Sequence, residues 1–418
     1  MVSIAKVFVA LLTLVLLVCI VSFQSAAVVT VSGANVSDNW PMFRFDPYHD
    51  GVGSGDTVSS PTLLWNYTTG EGFSSPAVVD GVVYIGSRDD RLYALNASNG
   101  IQLWNFTTGY WVFSSPEVVN SVVYFGSWDG NVYALNANSG AKLWNFTTGY
   151  QVISSPNVVN GIVYIGSRDD NVYALNATNG ALIWRFATGY WVDSSPAVTG
   201  GVVYIGSRDH KMYALNATSG EEIWSFTTGD QADSSPAVVN GVVFFGSDDY
   251  HVYSVNATDG EELWNYTTGS FVVSSPAVSN GKVYVGSDDG NVYALDAYTG
   301  AKIWNCTTGQ VESSPAIVDG TLYVGSLSDN IYAINTTSGA KIWDYPTGSF
   351  VFSSPSIVDG ILYVGSLDNN VYALGLLNLT GPSSSVPEYF ALSLGIILIF
   401  STTMLGTITI NSKQRKRA

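Results

Sequence analysis

Three acidic residues recur at one position of a repeated motif, where carboxylates could bind a cation. Asp193, Asp233 and Glu312 each come directly before a Ser-Ser-Pro tripeptide. Carboxylate oxygens are the ligands that hard cations such as calcium prefer. In the other five copies the position is apolar, with Phe73, Phe113, Ile153, Val273 and Phe352. The pattern predicts an opening that is half acidic and half apolar, suited to a cation or to a cationic or amphipathic ligand. Unselected loop variation is the alternative.

Aromatic and arginine side chains fall in the same variable segments and could bind a protein or a sugar. They are Tyr110, Trp111, Trp128, Tyr190, Trp191, Arg88, Arg168 and Arg208. Trp and Tyr rings stack on sugars and anchor protein interfaces, although packing against neighbouring loops is an equal alternative. Each of the three arginines is followed by an aspartate, which favours local ion pairs over anion binding.

The sequence contains no pattern that indicates catalysis. His49, His210 and His251 lack the spacing of metal ligands, and only the similar turn positions of His210 and His251 hint at a metal. Besides Cys19, the one cysteine is Cys306, which occupies an aromatic position of the repeat and is expected to be a buried small apolar residue. We therefore predict no catalytic residue and no bound cofactor.

A repeat of about forty residues must position all these side chains. Its most regular marker is a tryptophan that returns every 39 or 40 residues: Trp65, Trp104, Trp144, Trp184, Trp224, Trp264, Trp304 and Trp343. A fixed period of this size indicates an array of one supersecondary unit. The eight tryptophans are therefore interpreted as structural, since a large aromatic ring contributes most when buried.

Each repeat has four short runs of β-branched and aromatic residues, separated by turn residues. In the first full repeat we expect strands over 76–79, 82–87, 92–96 and 102–107. No helical period lies between the runs, so a parallel βαβ fold is excluded. The sequence predicts an all-β fold, an eight-bladed β-propeller of four-stranded antiparallel blades over residues 61–376.

The two ends of the repeat array are complementary. A tryptophan-bearing strand at 63–68 precedes the first Ser-Ser-Pro motif, and the last three strands, over 355–374, have no such strand after them. We predict that the N-terminal strand completes the eighth blade, because closing the ring removes the open sheet edges. A linear solenoid would need polar capping units, and none is evident.

The repeat resembles the PQQ-like propeller family. The stretch from Ala214 to Trp224 follows the family pattern A-x-D-x-x-T-G-x-x-x-W, with Asn216 in place of Asp. Asn39 to Pro47 resembles the W-P-M-F-x-x-D-P segment that often precedes such propellers, within a lead-in of residues 28–60. The resemblance implies that each Trp packs between blades, over the turn that carries the Gly.

The family includes quinoprotein dehydrogenases as well as outer-membrane assembly propellers that bind no cofactor. The enzymes use calcium-ligating acids, a catalytic Asp and vicinal cysteines against the quinone. This chain has no vicinal cysteines and no insertion outside the repeat to supply a pocket. The resemblance therefore favours a non-catalytic binding or scaffold propeller. A PQQ-dependent dehydrogenase and a structural surface-layer component are the alternatives, and PQQ or calcium the cofactors of the first.

Both ends of the chain predict a location at the cell membrane. Residues 1–27 have the charge, apolar run and small-residue site of a signal peptide, with an uncleaved anchor as the alternative. A linker at 377–388 leads to an apolar segment at 389–410, long enough for a transmembrane helix. The basic tail at 411–418 predicts a cytoplasmic C-terminus and an extracellular propeller. Val386 to Tyr389 and the residues after them resemble archaeal PEF-type sorting signals, with Tyr389 where the pattern has Phe.

Twelve N-x-S/T sequons agree with an extracellular location, where they are candidate glycosylation sites. They are Asn35, Asn66, Asn96, Asn105, Asn145, Asn176, Asn216, Asn256, Asn265, Asn305, Asn335 and Asn378. The repeat itself copies Asn-x-Thr, and Asn is a good turn residue, so we expect only some to be modified.

The chain is strongly acidic, with a formal net charge of −17. Nucleic-acid binding requires a basic surface, so a nucleic-acid partner is excluded. We expect a monomeric propeller anchored in the membrane, with a surface protein or a glycan as its partner. The sequence does not identify that partner.

Overall fold

The computed structural model describes residues 39–70 and 74–376, which form eight four-stranded blades arranged in a ring, one of them extended by the short strand Val52–Gly53. Blades are numbered here by their inner strands in chain order. Within these residues no helix is long and apolar enough to span a membrane. The expected signal peptide, membrane helix and basic tail lie outside the described residues, as do Asn35, Asn378 and Phe73.

The strand bounds repeat closely from blade 1 to blade 8. The inner strands are Ala77–Val79, Glu117–Val119, Asn157–Val159, Ala197–Thr199, Ala237–Val239, Ala277–Ser279, Ala316–Val318 and Ser356–Val358. The second strands are Val82–Gly86, Val122–Gly126, Ile162–Ser167, Val202–Ser207, Val242–Gly246, Lys282–Gly286, Thr321–Ser326 and Ile361–Gly365. The third strands are Arg91–Asn96, Asn131–Asn136, Asn171–Asn176, Lys211–Asn216, His251–Asn256, Asn291–Asp296, Asn330–Asn335 and Asn370–Gly375. The outer strands are Gln102–Thr107, Lys142–Thr147, Leu182–Ala187, Glu222–Thr227, Glu262–Thr267, Lys302–Thr307, Lys341–Pro346 and, for blade 8, Thr62–Thr68.

The N-terminal strand closes the ring, as predicted. Thr62–Thr68 pairs antiparallel with Asn370–Gly375, from Thr62 opposite Gly375 to Thr68 opposite Asn370. Blade 8 is therefore built from both ends of the repeat array. A ring closed in this way leaves neither the first nor the last blade with an unpaired sheet edge at the closure.

Seven of the eight tryptophans cover a glycine turn of the next blade, and Trp343 donates instead to the carbonyl of Val58. Trp104 of blade 1 donates its Nε1–H to the carbonyl of Ala137 in blade 2, at 2.8 Å. A Cβ atom on Gly140 would lie 2.7 Å from the indole ring, and Gly140 has a φ of 68°. Glycine is needed there both for the close approach and for the left-handed backbone. The structural role predicted for the tryptophans thus depends on contact with a glycine turn in the neighbouring blade.

A closed ring of serine hydrogen bonds joins all eight blades around the central channel. In each Ser-Ser-Pro motif the second serine donates its backbone N–H to the hydroxyl of the second serine in the next blade, at 2.8–3.0 Å. The members are Ser75, Ser115, Ser155, Ser195, Ser235, Ser275, Ser314 and Ser354. A buried N–H must find an acceptor, and the hydroxyl supplies it where the inner strands diverge.

A second bond between blades involves aspartates of the turns between the second and third strands. Asp129 in blade 2 accepts the backbone N–H of Gly109 from blade 1 and the hydroxyl of Tyr133, both at 2.7 Å. In blade 7 Ser328 replaces the aspartate and bonds Tyr332 at 3.1 Å. These turns were expected to be variable binding loops, but this acidic position is part of the scaffold.

Candidate binding face

Two classes of loop meet on one face of the propeller, called here the mouth face. One class joins each outer strand to the next inner strand, and the other joins the second and third strands of a blade. In blade 2 the backbone N–H of Trp128 donates to the carbonyl of Trp111 at 2.8 Å, and equivalent bonds recur in later blades. The opposite face, called the turn face, carries the short turns. The two variable loop classes therefore share one face.

Arginine and aspartate residues form a continuous chain of ion pairs across blades 3, 4 and 5 of the mouth face. Arg168 forms a bidentate pair with Asp193, with both N–O distances at 2.8 Å. Arg208 bridges Asp193 and Asp233, with its Nη2 atom 2.9 Å from an oxygen of each. Arg168 and Arg208 therefore form ion pairs between blades, and not with Asp169 and Asp209, which follow them in the sequence.

Aromatic rings flank this chain of ion pairs. The guanidinium carbon of Arg168 lies 4.6 Å from the ring centroid of Trp191 and 5.5 Å from that of Trp128. Both distances are within the range of cation–π attraction. Arg208 lies 5.6 Å from the Trp191 centroid. Trp128 and Trp191 are half-buried because they pack on these cations, as in the packing alternative.

Two tyrosines form the outer surface of the aromatic cluster. Tyr190 stacks on Trp191 with centroids 5.1 Å apart and planes at 6°. Tyr110 stacks on Trp111 at 4.9 Å and on Trp128 at 5.9 Å. Tyr110 is 42% exposed and Tyr190 45% exposed. The predicted binding residues of blades 2, 3 and 4 thus form one surface, the aromatic arc: Tyr110, Trp111, Trp128, Arg168, Tyr190, Trp191 and Arg208. Arg88 lies beside it, 5.4 Å from the Trp111 centroid.

The opposite side of the mouth is acidic. Asp248, Asp288 and Glu312, in blades 5, 6 and 7, interact electrostatically with one another and form the acidic arc. Burial, together with the charges of Asp288 and Asp248, raises the pKa of Glu312 to about 7. Burial and the charge of Asp230 raise the pKa of Asp248 to about 6. This side therefore gains negative charge as the pH rises from about 5 to 8.

The three acids predicted as a cation site do not form one group: two lie in the network of arginine ion pairs and one lies in the acidic arc. Asp193 and Asp233 belong to the arginine network, whereas Glu312 faces Asp288. Burial raises the pKa of Asp233 to about 7, and Arg208 opposes this effect. No three His, Cys, Asp or Glu side chains of residues 39–70 and 74–376 come together to hold a metal ion. His210 and His251 instead lie near Asp230 and Asp249, at 3.7 and 3.2 Å.

The channel below the mouth is filled by the lead-in segment, which the sequence did not place. Residues 39–53 form a segment called here the channel plug. It follows the inner strands around the channel, next to the ring of serine hydrogen bonds. Six inner strands donate a backbone N–H to its carbonyls at 2.7–2.9 Å: Val78, Val118, Val198, Val238, Val278 and Ile317. Val52–Gly53 also pairs in parallel with the inner strand of blade 7. A cavity of about 10 Å³ lies between the plug and the serine ring, lined by Trp40 and Arg44 on one side and by Ser75, Ser314 and Ser354 on the other.

In blade 3 the backbone N–H of the inner strand is accepted by a buried carboxyl group and not by a carbonyl of the plug. The N–H of Val158 donates to Glu117 at 2.8 Å. Glu117 is only 2% exposed, and burial raises its pKa to about 8, against the effect of the Val158 bond. An acid whose pKa is higher in the folded state contributes stability that is complete below the unfolded value of 4.5 and lost as the pH rises through about 8.

Replacing Glu117 by glutamine is expected to reduce the loss of stability between pH 5 and pH 9. Each tenfold change in proton affinity corresponds to about 1.4 kcal/mol, so the reduction should be on the order of 3 kcal/mol. Urea unfolding at the two pH values measures it. Glu117→Ala should cost about 1–3 kcal/mol at pH 5, because the Val158 N–H loses its acceptor. Glu222→Gln, on an exposed outer strand, is the control, and an equal pH dependence in both glutamine variants would contradict the assignment.

Comparison with known proteins gives a family and several similar folds. The sequence matches the family described as outer membrane protein assembly factor BamB over residues 44–185, 128–234, 213–318 and 289–380. BamB from Moraxella catarrhalis is 19% identical with a TM-score of 0.66, over 76% of this chain and all of that one. A europium-containing methanol dehydrogenase is 14% identical with a TM-score of 0.70, over 81% of this chain and 98% of its own.

A quinohemoprotein alcohol dehydrogenase from Comamonas testosteroni is 15% identical with a TM-score of 0.69, over 85% of this chain and 83% of its own. At such identities the likeness establishes the fold alone. No protein of curated function matches the sequence.

The residues of the mouth do not fit a quinone and calcium centre of the kind that the dehydrogenases imply. Cys306, the one cysteine of the described residues, is half-buried on the outer strand of blade 6. The carboxylates of Asp193 and Asp233 are engaged by arginine. No reaction step through such a centre is derived for this chain.

Proposed function

The chain belongs to the family of the outer membrane protein assembly factor BamB, and we propose that it is a non-catalytic docking propeller on the outer side of the cell membrane. The observation that supports this proposal is the division of the mouth face into an aromatic arc and an acidic arc. The eight blades have nearly the same strands but carry different loops on this face. Variation on a rigid scaffold is typical of binding surfaces.

A protein is the partner that this surface favours. Tyr, Trp and Arg are the residues that contribute most at the centre of protein interfaces, and the aromatic arc holds all three types. Its rings and guanidinium groups are already ordered by stacking and ion pairs, which lowers the entropic cost of binding. The acidic arc adds charge complementarity for a basic segment of the partner. The predicted signal peptide and membrane helix support the proposed location.

Photo-cross-linking on intact cells tests the docking role. A photoreactive phenylalanine analogue replaces Tyr110 or Tyr190 in the aromatic arc, and Tyr298 serves as the control. Tyr298 is 78% exposed and lies in a turn of blade 6, on the turn face. We expect discrete cross-linked proteins from positions 110 and 190 and none from position 298, with yields that fall at least tenfold when Trp191 is replaced by alanine. Equal yields from all three positions, or none from any, would contradict a docking site on this face.

A further inference from the structure

The ten sequons of the described residues fall into two structural classes. Five asparagines lie in outer strands and are exposed: Asn66, Asn105, Asn145, Asn265 and Asn305, the outer-strand sequons. Five lie where the third strand ends and are half-buried: Asn96, Asn176, Asn216, Asn256 and Asn335, the turn sequons. None of the ten lies in a loop of the mouth face, so sugar on either class would leave the proposed docking surface free.

The outer-strand sequons expose the side chains of both their Asn and their Thr, whereas the middle residue packs against the core. Side chains of a strand alternate between its two faces. In blade 1 Trp104 points into the core, so Asn105 and Thr107 are both exposed beside the aliphatic side chain of Leu103, which is 50% exposed. Blade 2 repeats this arrangement with Asn145, Thr147 and Leu143. The amide of Asn145 and the hydroxyl of Thr147 both donate to the Oδ1 atom of Asn131, at 3.0 and 2.7 Å, so the two groups that a sequon requires lie together on one exposed face.

The asparagine side chains of the turn sequons are hydrogen-bonded within their own turns. In blade 4 the Oδ1 atom of Asn216 accepts the backbone N–H groups of Thr218 and Ser219, at 2.9 and 3.0 Å. The middle residue Ala217 is buried, and its carbonyl accepts the Nε1–H of Trp184 at 2.9 Å. A transferase would have to break the turn to reach Asn216, so the folded chain protects this class.

The outer edge of seven of the eight blades has an apolar side chain that nothing in the described residues covers. These side chains are 43–52% exposed at the position before the tryptophan: Leu103, Leu143, Ile183, Ile223, Leu263, Ile303 and Ile342. An edge strand with exposed apolar side chains is a template for association between copies. Natural proteins protect such edges by charge, by proline or by covering them.

We propose that the outer-strand sequons carry N-linked glycans that cover this apolar edge, and that the turn sequons are unmodified. The donor is an oligosaccharide linked to a lipid phosphate. The asparagine Nδ2 atom bonds to the anomeric carbon of the sugar, the bond from that carbon to the phosphate oxygen breaks, the lipid phosphate leaves with the electron pair, and one amide proton is lost. The modification requires export, as proposed above, and does not depend on the docking role.

The three blades without an outer-strand sequon have other residues at the same place. Arg185 stands there in blade 3, and Ser225 in blade 4. Blade 7 has Asp344, which pairs with Lys341 at 2.6 Å, and ends its outer strand at Pro346. Charge protects the edge of blade 3, and charge and proline protect that of blade 7, so a glycan is not needed at either edge. Sequons thus mark the edges of five blades and other residues protect two, whereas Ser225 of blade 4 lies beside the exposed Ile223.

Glycopeptide mapping of the full-length protein isolated from its own cells tests the assignment. We expect glycan on peptides that contain Asn105 and Asn145 and unmodified Asn176 and Asn216. The double variant Asn105→Gln, Asn145→Gln should lose two glycan masses and self-associate at a concentration at least several-fold lower, as measured by light scattering. The matched control, Asn176→Gln with Asn216→Gln, should change neither the glycan mass nor the association.

Each other outcome overturns part or all of the proposal. Unmodified outer-strand peptides, or turn sequons with equal occupancy, would overturn the assignment of the sites. Modified outer-strand sequons whose loss leaves self-association unchanged would overturn the shielding role. A loss of cross-linking at Tyr110 and Tyr190 would not affect either conclusion, so failure of the docking role is distinguishable.

Discussion

Replacing Arg44 by methionine is expected to lower the free energy of unfolding by about 3–5 kcal/mol, the usual cost of removing one partner from a buried charge network. Arg44 is 3% exposed, and its guanidinium donates to the backbone carbonyls of Pro276 and Pro315 in blades 6 and 7. Burial lowers its pKa to about 10, which the charges of Asp50 and Asp46 oppose. It therefore remains charged at neutral pH. Without it those carbonyls lose their donor and both aspartates lose their nearby positive charge.

Two further variants separate charge from geometry in the Arg44 experiment. Arg44→Lys keeps the charge but cannot reach two carbonyls with one planar group, so we expect an intermediate loss. Arg185→Met removes an exposed arginine from the outer strand of blade 3 and should change the free energy of unfolding by no more than about 0.5 kcal/mol. Urea unfolding followed by tryptophan fluorescence measures all three. An Arg44→Met variant as stable as Arg185→Met would contradict a structural role for the plug.

The architecture could be predicted because it depends on local patterns that the chain repeats. The tryptophan period predicted eight blades, and the unmatched strand at 63–68 predicted the closure that pairs Thr62 with Gly375. Turn residues such as Gly100 and Gly140 predicted the strand limits to within one or two residues. Repetition makes each of these signals stronger, since eight copies must agree on one unit.

The parts that could not be predicted depend on which residues meet across blades. The lead-in segment resembles a known motif, but nothing local indicates that Arg44 enters the channel. The aspartate of each turn has the same residue type whether it binds a ligand or, like Asp129, bonds to the neighbouring blade. The ion pairs of Arg168 and Arg208 with Asp193 join residues that lie in different repeats. Such contacts are set by the ring geometry and not by sequence spacing.

The candidate site could be predicted in position but not in organisation. The sequence placed variation in the loops of the candidate site, and two residues that precede Ser-Ser-Pro, Asp193 and Asp233, pair with Arg208 on the mouth face. It grouped Asp233 with Glu312 as one acidic set, whereas the structure assigns Asp233 to the arginine network. The sign of each side chain's charge could be predicted from the sequence. The partner of each charge could not, because Arg208 lies 25 residues from Asp233 in the chain and adjacent to it in space.

Removing the first 68 residues is expected to prevent formation of a closed, monomeric propeller. A chain that begins at Thr69 lacks both the channel plug and the closing strand Thr62–Thr68. The third strand of blade 8, Asn370–Gly375, then becomes an unpaired edge, and the turn at Gly100 loses the indole of Trp65 that covers it. Open edges pair with other copies. Size-exclusion chromatography with light scattering should therefore detect oligomers or aggregates, with loss of the near-ultraviolet circular dichroism of the packed tryptophans.

Two longer chains distinguish the closing strand from the plug. A chain that begins at Asn39 retains every described contact and should behave as the full propeller. A chain that begins at Gly55 keeps the closing strand and the Val58 carbonyl that accepts the indole N–H of Trp343, but it lacks the plug. It should remain a closed monomer that unfolds at lower urea concentration, because six inner-strand N–H groups lose their acceptors. If the chain that begins at Thr69 were instead as monomeric and as stable as the one that begins at Asn39, the N-terminal strand would not be what closes the ring. In that case blade 8 would have to be stable with three strands, against the pairing that places Trp65 opposite Ala373.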